Sequence, residues 1–91
     1  MASWALAFNE RARAALLRLD AWLQEEILDE LDRLAQSPGQ LRRAGSSPVC
    51  IADLTRDRQS QRHYVFLSIE TNVGTRTLEV IDVGYYARPN A

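Results

Sequence analysis

The most informative stretch of this sequence is HYVFLSIETNVGTRTLEVIDVGYYAR, from His63 to Arg88. In its first part every second residue from Val65 to Ile69 is a large aliphatic residue, and this alternation is typical of a β-strand. The sequence NVGT at positions 72–75 interrupts this alternation, which then resumes and stops at Gly84. The pattern predicts two strands joined by a tight turn. Two tyrosines and an arginine follow the second strand, and their purpose is the question that the sequence raises.

Length and composition predict one folded domain. The chain has 91 residues, of which 46% are hydrophobic and 25% are charged, as is usual for a globular domain with a single core. Cys50 is the only cysteine, so an intrachain disulfide is excluded. The sequence has no apolar run of the roughly 20 residues that a membrane span needs, and its first residues lack the features of a signal peptide. We therefore expect a cytoplasmic protein that does not enter a membrane.

The charged residues are distributed unevenly although the net charge is only −1. Acidic residues are concentrated between positions 20 and 32, and arginines are concentrated between positions 42 and 62. Every cationic side chain other than His63 is an arginine, which suits bidentate contact with phosphate. A GC-rich coding sequence would produce the same bias, so composition alone does not indicate nucleic-acid binding.

The first half of the chain has the pattern of a strand followed by two helices. Trp4 to Phe8 alternates bulky and small residues, and Asn9 occupies the position of a helix N-cap. Helical spacing then predicts a first helix over about Asn9 to Leu19 and a second helix that begins after Asp20. The sequence SPG at positions 37–39 ends the second helix. Its predicted core stripe is Leu23, Ile27, Leu31 and Leu34.

The second half predicts a loop and three strands. The loop covers about Gln40 to Pro48, a strand covers Val49 to Arg56, and a polar turn covers Asp57 to Gln61. Short turns require the last three strands to be antiparallel. The predicted fold is a two-layer α+β domain of order β-α-α-β-β-β, with an antiparallel helical hairpin on one face of the sheet and the other face open. We expect the whole chain, residues 1–91, to form this single domain.

Five segments carry a resemblance to a known family. They are Trp4 to Ala12, the helix end Ala35 to Pro38, the strand segment Asp53-Leu54-Thr55-Arg56, and the two hairpin segments Arg62 to Ile69 and Thr77 to Gly84. With these segments the chain resembles the RelE/ParE-type toxins of type II toxin–antitoxin systems over nearly its whole length. The resemblance is one of residue type and spacing, and it implies the same α+β fold.

The resemblance also implies an activity and a partner. RelE-like members cut messenger RNA in the ribosomal A site without a metal, whereas ParE-like members inhibit DNA gyrase. An antitoxin whose extended segment wraps the toxin silences both kinds, so a cognate antitoxin is the expected partner and no cofactor is expected. A role in plasmid stabilization is a further implication.

The family's basic residues have only partial counterparts in this chain. Arg56 matches an arginine on a central strand. Tyr64 lies at the position of another strand arginine, and Tyr86 lies where the family often has a basic residue, two places after Gly84. Arg88 is close by, and the printed sequence ends at Ala91, before the position of the family's later tyrosine.

RNA cleavage through the 2′-hydroxyl needs a base, an acid and cations for the phosphate. His63 suits proton transfer near neutral pH, arginines hold phosphate, and tyrosines stack on bases or transfer a proton. We therefore expect one basic cleft formed by two groups of residues. The expected catalytic residues are Arg56, Arg62, His63 and Tyr86, and the expected substrate-binding residues are Arg58, Tyr85 and Arg88.

Other interpretations of the same residues remain open. The histidine is a common kind of strand-edge residue, the arginines flank a polar turn, and the tyrosines could cover one end of the core. Cys50 is predicted to be a small buried strand residue. A protein that inhibits gyrase, one that only binds its antitoxin, and a structural module that forms a homodimer through its helices are the alternatives to a nuclease.

Overall fold

A computed structural model of the protein describes residues 3–43 and 48–90, which form two helices packed on one face of a mixed sheet. After the second helix the chain passes through a 3-10 turn, Pro38–Gln40. Its helices and strands are β1 (Ala5–Phe8), α1 (Glu10–Leu17), α2 (Ala21–Gln36), β2 (Arg42–Arg43), β3 (Val49–Arg58), β4 (Gln61–Asn72) and β5 (Thr77–Pro89).

The strands lie in the order β1-β5-β4-β3-β2. The last three long strands are antiparallel neighbours, as predicted, and β1 joins them by pairing in parallel with the first residues of β5. The predicted two-layer α+β fold is therefore confirmed. Both helices and the strands β2 to β4 lie between β1 and β5 in the chain, so these neighbours have the long connection that parallel pairing requires.

Both helices begin where the sequence predicts. The Asn9 side chain accepts a hydrogen bond from the backbone N–H of Ala12 at 2.8 Å, which caps α1. Asp20 precedes α2 without a capping side-chain hydrogen bond. The predicted stripe of α2 is buried and packs on the sheet, whose inward side chains complete the core. The largest fully buried side chains are Leu23, Ile27, Leu31, Val65, Leu67, Ile69, Leu78 and Val80.

The strands differ from the predictions mainly at their ends. β3 continues to Arg58 and β4 begins at Gln61, so the polar turn contains two residues and not five. β5 continues five residues past Gly84, to Pro89. Part of the predicted loop forms β2, which pairs with Cys50 and Ile51, while positions 44–47 of that loop lie outside the described residues. Cys50 is buried, as predicted.

Candidate functional site

A tight turn fixes the geometry at one end of the sheet. Gln59 and Ser60 connect β3 to β4, and both have positive φ angles, 55° and 62°. Such angles at both central positions match the twist of a two-residue hairpin, although non-glycine residues adopt them at some cost. The backbone N–H of Asn90 donates to the Ser60 carbonyl at 2.9 Å, which fixes the end of β5 beside the turn. The three long strands therefore end together, and all seven predicted site residues lie near this end.

The sheet separates these seven residues onto its two sides. Successive side chains of a strand point to opposite faces, and cross-strand partners share a face. We call the side covered by α1 and α2 the helix face and the other side the open face. The helix face carries Arg56, Arg58, His63 and Tyr85. The open face carries Arg62, Tyr86 and Arg88.

His63 is buried on the helix face, with 6% of its surface exposed. Its Nδ1 atom and the hydroxyl of Tyr85 are 2.7 Å apart and share a hydrogen bond. The imidazole and the Trp22 ring of α2 are arranged edge to face, with the two ring centroids 4.9 Å apart and the planes at 81°. These contacts satisfy the polar group and fill the space between α2 and the sheet.

The two arginines of the helix face also contact α2. The Arg56 Nε lies 3.4 Å from a carboxylate oxygen of Glu26, and another Arg56 nitrogen donates to the Thr55 carbonyl at 2.9 Å. The Arg58 guanidinium carbon lies 4.7 Å from the centroid of the Trp22 ring, in a cation–π arrangement. The arginines of this face are thus engaged with the helix that covers it.

An exposed aromatic row occupies the open face. Tyr64 and Tyr86 stack with ring centroids 4.7 Å apart and planes at 17°. Phe66 continues the row, with its centroid 5.9 Å from that of Tyr86. Phe66 and Tyr86 are 41% and 42% exposed, about as much as Tyr85 on the helix face, but their stacked rings form a contiguous patch of the kind that binds a partner or a ligand.

Arginines flank this row at the turn end of the sheet. The Arg88 guanidinium carbon lies 5.5 Å from the Tyr86 centroid. Arg62 donates to both carboxylate oxygens of Asp57, at 2.8 and 3.3 Å. The hydrogen bond from Arg62 lowers the pKa of Asp57. The pKa of Arg62 is raised, first by its hydrogen bond to Asp57, then by the charge of that carboxylate and by the nearby Tyr64 hydroxyl.

The expectation of one cleft is wrong in its geometry. Arg56 and His63 lie on the helix face, whereas Arg62 and Tyr86 lie on the open face, so one substrate group cannot contact all four. The separation follows from strand geometry, because Arg62 and His63 are consecutive residues of one strand and their side chains therefore point to opposite faces. The predicted site residues also did not include Phe66, which extends the aromatic row of the open face, or Trp22, which contacts His63 and Arg58 on the helix face. Phe66 lies between the buried residues Val65 and Leu67 on β4, so strand alternation would have indicated that its side chain is exposed.

The structure shows where the residues that differ from the family's pattern lie. Tyr64 and Tyr86, at the two positions that the resemblance assigns to basic residues, are cross-strand partners and stack on each other. The cations nearest to them are Arg62 and Arg88, one row closer to the turn and also cross-strand partners. The open face therefore has aromatic side chains at the two positions that the resemblance assigns to basic residues, and arginines beside them.

Within the described residues, no group of three or more His, Cys, Asp or Glu side chains is arranged to hold a metal ion. Helices long and apolar enough to cross a membrane are also absent from residues 3–43 and 48–90.

No family model matches the sequence, and no curated protein matches it. Solved structures do match. The isolated RelE toxin from E. coli superposes with a TM-score of 0.71 at 24% identity, covering 94% of this chain and 87% of that chain. The toxin–antitoxin complex RelBE2 from Mycobacterium tuberculosis gives 0.67 at 16% identity, with 94% of each chain covered. The archaeal RelE–RelB complex from Pyrococcus horikoshii gives 0.58 at 11% identity over 99% of this chain and 98% of that chain.

These similarities extend over nearly the full length of each chain, and their identities are low. They confirm the architecture that the resemblance implied, including the order of helices and strands. The chain has the fold of the RelE toxins.

Proposed function

We propose that this chain is the toxin of a type II toxin–antitoxin pair and that it cleaves messenger RNA without a metal, at the open face. The observation that carries the proposal is an exposed aromatic row bordered by two arginines, on a fold shared with RelE toxins. Single-stranded RNA is recognised by such surfaces, because bases stack on aromatic rings and phosphates pair with arginine.

Each part of the open face has a role in this proposal. Arg62 and Arg88 bind the phosphate and stabilise the charge that develops in the transition state. The exposed phenol of Tyr86 lies next to them and takes part in proton transfer or in base stacking. The Asp57 carboxylate accepts a hydrogen bond from Arg62 and so positions the guanidinium at the edge of the open face.

The residues of the helix face have a different role in the proposal. Arg56, Arg58, His63 and Tyr85 contact each other or α2 and hold that helix against the end of the sheet. A histidine with 6% exposure that is bonded to a tyrosine is poorly placed to reach a 2′-hydroxyl on the opposite side of the sheet. We therefore assign the chemistry to Arg62, Tyr86 and Arg88.

The proposed partner is an antitoxin that covers the open face. Solved neighbours include RelE–RelB complexes, and the exposed aromatic side chains of this chain provide apolar surface for an added helix or extended segment. Such a partner would raise the apparent stability of the toxin, because it binds only the folded state. Action on ribosomes would place the free toxin in the cytoplasm.

A second candidate function is inhibition of DNA gyrase, or antitoxin binding without any activity. Tyr64 and Tyr86 favour it, because they replace by aromatic rings the cations that the resemblance assigns to cleaving members. A phenol does not neutralise a phosphate, so cleavage here depends on Arg62 and Arg88.

Induced expression in a bacterial host without a partner tests the proposal. We expect growth arrest and new messenger RNA ends inside translated frames. Arg62→Ala with Arg88→Ala should reduce cleavage of messenger RNA on purified ribosomes by roughly 100-fold, as removal of a transition-state donor does. Arg56→Ala tests the helix face, and Arg13→Ala, which removes the same charge from α1, is the matched control.

The outcomes separate the candidates. Unchanged cleavage in the double variant, or a loss equal to that caused by Arg56→Ala, would contradict the assignment to the open face. Arrest without new ends, together with loss of supercoiling by purified gyrase, would select gyrase inhibition. Normal growth with folded protein would show that the chain keeps the fold without a toxic activity.

A further inference from the structure

The charges of the open face change sign along the strands. Arg62 and Arg88 are cross-strand partners at the turn end. Glu70 and Glu79 are cross-strand partners nearer the other end of the same face. Two carboxylates directly opposite each other repel, and the described residues place no cation in an ion pair with either. The face thus has a basic row and an acidic row on the same two strands.

Phe66 lies midway between these rows. It is four positions from Arg62 and four positions from Glu70 along β4, so each row is roughly 13 Å away at about 3.3 Å per residue. Its cross-strand partner is Gly84, which has no side chain. A Cβ atom added at Gly84 would meet Phe66 atoms only at 3.8 and 3.9 Å, so space is free beside the exposed ring.

We infer that the open face binds a second copy of this chain, with the two sheets face to face and related by a two-fold axis. The axis lies in the plane of the interface, is perpendicular to the strands and passes through the position of Phe66. Rotation about this axis reverses the strand direction in the second copy. It places Arg62 against Glu70 of the second copy and Arg88 against Glu79 of the second copy. The same contacts form twice because a two-fold interface is self-complementary.

This arrangement resolves three features that the single chain leaves unfavourable. The repelling pair Glu70 and Glu79 gains cations, the exposed Phe66 ring is covered, and the space over Gly84 receives part of the partner's aromatic side chain. An anionic nucleic acid would satisfy the basic row but would be repelled by the acidic row. A second copy satisfies both rows, and charge complementarity of this kind fixes the register of an interface.

The interface is small and contains one opposing contact. Three strands about 4.8 Å apart and eight residues long give a footprint of roughly 400 Å² on each copy, which is typical of weak association. Asp53 lies on β3 in the same row as Phe66 and is exposed, so the axis brings the two Asp53 carboxylates towards each other. The dimer is therefore expected to dissociate at low concentration and to be strengthened by Asp53→Asn.

Self-association at the open face would also control access to the surface that we propose for cleavage. The dimer covers Arg62, Tyr86 and Arg88, so the proposed nuclease surface is accessible only in the monomer. Self-association would then lower the activity per molecule as the concentration rises. The oligomeric state can be measured without any assay of cleavage, so either hypothesis can fail alone.

Sedimentation equilibrium of the purified chain over a wide concentration range tests the inference. We expect a monomer–dimer equilibrium that weakens as salt is added, because the contacts are solvent-exposed ion pairs. Glu79→Arg puts like charges together twice and should weaken the dimer at least 10-fold. Arg88→Glu combined with Glu79→Arg should restore it, and Asp53→Asn should strengthen it about 3-fold or more.

The single variant is expected to fold, because Glu79→Arg replaces the repulsion with Glu70 by an attraction within the chain. Circular dichroism and thermal unfolding verify this. A monomer at every concentration, a dimer that Glu79→Arg leaves unchanged, or failure of the double variant to restore association would overturn the inference. So would copurification with nucleic acid that occupies the face and prevents the dimer.

Discussion

The helix face and the open face use the same kinds of residues in different ways at one end of the sheet. On the helix face, arginine and histidine side chains contact α2 through an ion pair, a cation–π contact and an edge-to-face ring contact, and a hydrogen bond joins His63 to Tyr85. On the open face, arginine and tyrosine side chains contact mainly one another and remain exposed. Consecutive residues such as Tyr85 and Tyr86 therefore have different surroundings. A cluster of chemically capable residues in the sequence is thus two clusters in the structure, one engaged by α2 and one available to a ligand.

The largest change in stability is expected at Leu67, and its neighbour Phe66 on β4 provides the contrast. Leu67 is fully buried on the helix face, whereas Phe66 is 41% exposed on the open face. Leu67→Ala removes buried methyl groups and leaves a cavity, so we expect it to lower the free energy of unfolding by about 2–5 kcal/mol. Phe66→Ala loses only ring stacking at the surface and should cost about 1 kcal/mol or less. Urea denaturation monitored by circular dichroism measures both.

The same two variants should rank in the opposite order for association. Phe66→Ala is expected to weaken self-association and RNA binding, because it removes one exposed ring of the aromatic row, at the position through which the proposed two-fold axis passes. Leu67→Ala, where it remains folded, should leave both close to those of the wild type. Equal losses of stability in the two variants would mean that the open face is packed as tightly as the core, which contradicts the comparison.

A smaller effect contrasts the two tyrosines. Tyr85→Phe removes the hydroxyl that is bonded to His63 and leaves a buried ring nitrogen without that partner, so we expect a loss of about 1–2 kcal/mol in stability. Tyr86→Phe removes an exposed hydroxyl and should change stability by less than about 0.5 kcal/mol. Cleavage should respond in reverse, with Tyr86→Phe reducing the rate and Tyr85→Phe leaving it unchanged. A reduction of cleavage by Tyr85→Phe alone would return the chemistry to the helix face.

The sequence predicted the order and type of the elements because local patterns determine them. Period-two alternation defined β4 and β5, and the Asn9 cap and leucine stripe defined the helices. Pairing between distant segments was not encoded locally. The parallel contact of β1 with β5 and the two-residue strand β2 depend on neighbours that the sequence pattern does not specify. The continuation of β5 past Gly84 was missed because its outer residues lack the apolar alternation of a covered strand.

The candidate site was predicted in composition but not in arrangement. All seven predicted residues lie at one end of the sheet, which follows from the two hairpin connections. Their separation onto two faces was already present in the sequence, because His63 has the same parity as Val65, Leu67 and Ile69. The burial of His63 needed Trp22 as well, and a contact between a helix and a strand so far apart in sequence cannot be derived from spacing.

The smallest expected effect concerns the ion pair of Arg62 and Asp57 on the open face. The hydrogen bond from Arg62 lowers the pKa of Asp57 below the value of about 3.9 that it has in an unfolded chain. The folded state therefore gains stability from ionised Asp57 above about pH 3.9, and this gain is lost as the pH falls through the lower folded pKa. Asp57→Asn should lower the melting temperature slightly near neutral pH, and the difference from the wild type should disappear in acid. High salt should reduce the difference at neutral pH, because both groups are exposed to solvent. A difference that stays constant from about pH 7 to about pH 2 would mean that asparagine acts through the local backbone and that the ion pair contributes nothing, in which case Arg62 is as available to a phosphate as Arg88.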